Sequence, residues 1–135
     1  MKSKVFPILS IFLSFFWGCQ KENAEHSMNT GLVGRWEWVS TTGGLAGVHQ
    51  TPQTLGYTYW VEFTKDSLYR VYDKNRILVS SNPYSLFKEI SIFDNKEHEM
   101  IKADNLIRSS FVVRNDTLFL RQEVMDGFDE VFVGE

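Results

Sequence analysis

The sequence has little of what makes chemistry easy to recognise. It holds one cysteine, three histidines and three prolines in 135 residues. A single cysteine excludes an internal disulfide, so packing must hold any core. The 14 basic and 17 acidic residues give a formal charge of −3. The lysines and arginines are scattered, and phosphate contacts need clustered positive charge, so nucleic acid is not an expected partner. No apolar run is long enough to cross a bilayer as a helix. Beyond residue 30 no stretch shows helical periodicity.

The histidines are poorly placed for a metal. His26 and His49 have no ligand partners at useful spacing. His98 sits between Glu97 and Glu99, which in a strand point to the opposite face and cannot converge on it. Asp126, Asp129 and Glu130 read as an acidic turn without the oxygen-ligand spacing of a calcium loop. Gly43, Gly44 and Gly47 lack the lysine and following helix of a phosphate loop. Ser80, Ser81, Ser109 and Ser110 read as strand or turn residues with no base in register. The expectation is a protein that is not an enzyme and needs no cofactor or metal.

What is present begins with a leader. Met1-Lys2-Ser3-Lys4 is positive, and residues 5–17 are mostly apolar, interrupted by Pro7, Ser10 and Ser14. This is the pattern of a signal helix, too short to span a membrane. Gly18 supplies a small residue before Cys19. Phe15-Phe16-Trp17-Gly18-Cys19 resembles a bacterial lipoprotein lipobox. The resemblance implies cleavage after residue 18 and acylation of Cys19, including palmitate-type chains. Each buried CH₂ contributes ~0.8 kcal/mol, so two or three chains would hold the protein at a membrane. The bland alternative is an ordinary signal peptide with an incidental cysteine. Gln20-Lys21-Glu22-Asn23 resembles the short export signals of Bacteroidetes-type surface lipoproteins, and a solvated linker explains the same residues. The implied address is the cell envelope, anchored at the outer membrane and open to display on the surface. Residues 20–30 have no apolar period and read as a tether of roughly 18 Å mean reach.

Residues 31–135 read as one domain. Leu32, Gly34, Trp36 and Trp38 alternate with Arg35 and Glu37, a half-buried strand. Gly34 suggests close backbone approach, and Trp36 the cover of a closed core end. Residues 41–54 read as a long loop, a lid or a disordered flap. In residues 56–64, Tyr57, Tyr59, Val61 and Phe63 alternate with Thr58, Trp60 and Glu62. Further strands follow over 67–73 and 77–79, then, after Asn82-Pro83, around Tyr84, Leu86, Ile90 and Ile92. Others are expected over 100–103, 106–114, around Leu118 and Leu120, and over 128–133. Asp126-Gly127 suits a tight turn with both central residues at positive φ. About eight strands joined by short turns argue an all-β, antiparallel, up-and-down barrel.

Gly34-Arg35-Trp36 at the first strand resembles the Gly-x-Trp motif of lipocalins, closest to the lipocalin-like domains of bacterial lipoproteins. That likeness gives Gly34 and Trp36 a structural role and implies a small hydrophobic or amphipathic ligand. The aromatic alternation nominates Trp38, Tyr57, Tyr59, Phe63 and Phe111 as its walls. Arg70, or Lys88, would neutralise a carboxylate head group if either faced inward. The same aromatics could instead fill the barrel. The protein would then be a surface lipoprotein acting as an interaction or structural module.

Overall fold

The computed structural model describes residues 31–135; the leader, Cys19 and the tether lie outside them. The described chain forms one closed antiparallel barrel. Its strands are β1 (Gly34–Gly43), β2 (Val48–Gln50), β3 (Trp60–Phe63), β4 (Leu68–Tyr72), β5 (Leu78–Ile90), β6 (Glu97–Ala103), β7 (Leu106–Arg114), β8 (Thr117–Gln122) and β9 (Phe128–Gly134). Each strand from β3 to β9 pairs with its sequence neighbour, and β9 closes on β1. β2 is a short flap on the upper part of β1, so eight strands make the wall. Closure gives each wall strand a neighbour on both sides over part of its length. The architecture is the expected up-and-down barrel, and its plan is consistent with a lipocalin-like fold.

The alternation of side chains decides the inside. Trp36, Trp38, Val61, Phe63, Tyr69, Phe111, Leu118, Leu120 and Phe132 are buried and form one core with Leu32, Ile101, Ala103 and Leu106. Fully burying a side chain of this kind contributes about 1.5–3 kcal/mol. Trp36 closes the end where the chain enters, and its indole N–H donates to the Leu32 carbonyl at 2.8 Å. Gly34 is needed there for its conformation rather than for space. Its φ is +150°, and an added Cβ would meet nothing nearer than 3.9 Å.

Three expectations change. The loop over 41–54 is ordered: β1 runs on to Gly43, a turn leads into β2, and a short helix α1 (Pro52–Leu55) follows. Thr51 and Thr54 cap that helix reciprocally, and Gly56 ends it in the left-handed conformation. Asn82-Pro83 does not interrupt a strand. The N–H of Tyr84 points to β4, bonding Ser67 at 2.9 Å. The nitrogen of Pro83 therefore faces the other side, where the ladder with β6 starts only at Tyr84. In the Asp126-Gly127 turn only Asp126 has positive φ, at 56°. Gly127 is required by crowding instead, since a Cβ would come within 2.9 Å of the Gln122 backbone.

β5 and β6 form a long hairpin whose outer half leaves the wall, for β6 pairs with β7 only from Met100 onward. Its tip folds against the outside of β7 and β8. Glu123, 2% exposed, receives it. The Ser91 hydroxyl donates to both carboxylate oxygens at 3.0 and 3.1 Å, and the Ile92 N–H donates at 3.0 Å. Arg108 adds an ion pair to Glu89 at 2.6 Å.

Candidate functional site

The barrel interior divides into two aromatic groups. Toward the closed end, Phe63 stacks on Tyr69 with centroids 5.0 Å apart and meets Tyr84 edge-on at 5.4 Å. Toward the other end, Trp38 stacks on Tyr59 at 5.2 Å, and Tyr59 meets Phe132 edge-on at 6.1 Å. Such pairs add about 0.5–1.5 kcal/mol each beyond area burial. The Trp38 indole N–H is satisfied by the Thr41 hydroxyl at 2.9 Å.

Beside the upper group sits a carboxylate. On β9, Phe128, Glu130 and Phe132 alternate onto the inner face, with Glu130 level with Leu120 on β8 and Thr41 on β1. The Tyr59 hydroxyl donates to Glu130 Oε1 at 3.2 Å. Burial pushes the Glu130 carboxyl above its ordinary range, and the Tyr59 hydrogen bond offsets only part of this. Burial also raises the Tyr59 and Tyr69 phenols, and the nearby Glu130 charge adds to both shifts. The result is an acid and two phenols, all in apolar surroundings. A group that can hold either protonation state amid aromatic walls is a candidate recognition element.

The structure brings four of the nominated wall residues into or against the core. Trp38 and Tyr59 stack, Phe63 lies in the lower group, and Phe111 lies in the Leu120–Glu130 tier. Tyr57 does not join them; it is 46% exposed outside the core. Arg70 also stays out. It is on the outer face, 3.5 Å from Glu62, in a cluster where Tyr72 donates to the same carboxylate at 2.7 Å. The strand period forces this, because Tyr69 and Val71 take the inner positions. Lys88 is exposed and lies 3.8 and 3.7 Å from Glu97 and Glu99. Neither cation faces the interior; the ionisable group beside the core aromatics is an acid, Glu130. By sequence Glu130 reads as part of the acidic turn with Asp126 and Asp129. The signal was there: Phe128 and Phe132 flank it two residues away on either side.

Outside the barrel, an open groove of about 350 Å³ runs along β7, β8 and β9, lined by Val112, Phe119 and Val131 with His98, Arg121 and Asp129 at its polar edge. Arg121 and Asp129 pair at 2.8 Å, and that contact raises the guanidinium further. His98 lies 2.8 Å from Asp94, which the contact holds below its usual range. Among the described residues no group of three or more metal-ligating side chains converges.

Fold and interior together define the class: a closed eight-stranded antiparallel barrel of lipocalin-like plan with a polar group among its core aromatics. Compared with known protein families, curated proteins and solved structures, the chain matches none.

Proposed function

We propose that this chain is a lipid-anchored, lipocalin-like protein of the cell envelope that binds one small amphipathic molecule without transforming it. The observation that supports this reading is Glu130. A barrel built only for stability gains nothing from an acid beside Tyr59, Trp38 and Phe132, because burying a carboxylate costs free energy that an apolar side chain would not. The acid and the phenols suit a ligand whose polar end donates hydrogen bonds or carries positive charge. The aromatic rings suit its apolar body. Acylation of Cys19 would place the barrel at the outer membrane or cell surface.

Native mass spectrometry of the protein purified from its own cells tests the binding. A bound small molecule is expected, released by Glu130→Gln. A ligand-free spectrum from repeated preparations, together with no affinity for long-chain amines, would end this reading. Intact mass and metabolic palmitate labelling, compared with Cys19→Ser, test the anchor separately.

A second reading has its own support. The interior rings pack against one another, and the β7–β9 groove offers a surface outside. Under that reading the barrel is an interaction module, and crosslinking on cells would recover a protein partner through Phe119. Shortening residues 42–53 would lose the partner if the β1–β3 connection shares the contact.

A further inference from the structure

In a closed meander alternate connections lie at the same end. The β1–β3, β4–β5, β6–β7 and β8–β9 connections therefore share one end, and the chain enters β1 at the other. The two ends differ in chemistry. At the entering end, the β3–β4 turn is Thr64-Lys65-Asp66-Ser67 and the β7–β8 turn is Asn115-Asp116. At the far end, every connection between wall strands carries a large apolar side chain in water or is flanked by one. Leu45 is 90% exposed, Met125 81%, Val79 64% and Ile77 61%. Ile107, exposed, is the second residue of β7, just past the β6–β7 turn. The folded-back β5–β6 tip adds to this rim: Phe93 lines one surface hollow with Gly43, Gly44 and Gly127.

We infer that this apolar crown docks on a lipid bilayer. Its form argues for lipid over protein. The side chains project from separate loop tips instead of lining one groove or flat face, so each can enter between head groups independently. Its charges are few and mixed, Lys74 and Lys102 against Asp73, Asp104 and Asp126, while Arg76 turns away to pair with Glu135; a near-neutral rim of this kind suits a zwitterionic surface. The chain outside the described residues also permits it. The inference rests on the anchor proposed at Cys19. Extended, residues 19–31 reach roughly 40 Å. A ten-residue strand such as β1, tilted as barrel strands are, stands about 25 Å tall. The tether can therefore pass the barrel's full height and leave the crown on the membrane that holds the anchor. The barrel's far mouth would then open toward the bilayer, from which an amphipathic ligand could enter.

Photo-crosslinking tests the crown independently of acylation in cells. The chain from Cys19 onward is coupled through its one thiol to a maleimide-bearing lipid in phosphatidylcholine vesicles. A benzophenone side chain is placed in turn at Leu45, Ile77 or Met125 and, as controls, at Lys65 or Asn115. Lipid adducts are expected at the three crown positions and not at the controls. In a Leu45→Asp/Ile77→Asp background the yield at position 125 should fall about tenfold, equivalent to ~1.4 kcal/mol. These substitutions are solvent-exposed, and an unchanged melting temperature confirms folding. Adducts equal at both ends, no lipid adducts at the crown, or crown adducts between two protein copies would overturn the inference. Failure of Cys19 acylation in cells would overturn the anchor and leave the vesicle result standing.

Discussion

Glu130 is the residue on which the interior's chemistry turns. Its carboxyl is held above the range it has in the unfolded chain, so the folded protein retains a proton over a window where the unfolded chain has lost it. Stability therefore falls as pH rises through that window, just above the ordinary carboxylate range. Glu130→Gln should flatten the fall and raise the melting temperature at neutral pH, while weakening retention of any donor-ended ligand. Thermal melts of both proteins at stepped pH check the first effect. A variant that melts lower at pH 7 would mean the ionised carboxylate is stabilising where it stands. Trp38 tests the neighbouring wall. Trp38→Ala removes the Tyr59 stack and opens a cavity, and should cost about 3–5 kcal/mol by urea unfolding.

At the scale of elements, two contacts hold pieces that local sequence would leave loose. The first is the close passage of β1 and the β8–β9 turn. Gly43 has φ +117°, and a Cβ there would sit 2.5 Å from the Gly127 carbonyl oxygen. Gly43→Ala should lower stability by about 1–3 kcal/mol, seen as a lower urea midpoint with unchanged slope. The second is Glu123. Burial alone would raise its carboxyl, but hydrogen bonds from Ser110, the Ile92 N–H and Ser91, with the Arg108 charge, bring it below its usual range. Glu123→Ala leaves the Ser91 hydroxyl and Ile92 N–H without this partner, a cost of about 1–3 kcal/mol. The β5–β6 tip should then exchange its amide protons faster, while β3 and β4 keep their protection. Uniformly faster exchange would show that Glu123 supports the whole wall.

For the whole molecule, closure is what makes the interior uniform. Tyr59 and Tyr69 are both held above their ordinary range by burial. The unfolded chain ionises its phenols near pH ~10, so stability should fall as pH rises past that value, and the two buried phenols should ionise with unfolding. Absorbance of tyrosinate followed beside circular dichroism checks this; full ionisation before loss of structure would contradict it. The barrel class was legible in the sequence because alternation places side chains on two faces whatever the strand order. The placement of Trp36, Trp38, Val61 and Phe63 could be read directly. The site was less legible. Alternation alone could not say that Tyr57 precedes β3 and stays outside. Glu130 is masked in the sequence, because an acid near Asp126-Gly127 looks like turn chemistry. The fold-back of the β5–β6 tip had no local signal, since Ser91, Arg108 and Glu123 meet only after the wall has formed.

The sequence by itself determined the strand faces, the aromatic interior and the lack of an internal disulfide. These follow from local periodicity, residue counts and short motifs, which act over a few residues. The tertiary structure alone decided which strands meet across the closure, that Glu130 lies against Tyr59 seventy-one residues away, and that exposed apolar tips collect at one end. Those outcomes depend on register and barrel closure, which bring together residues that no local pattern relates.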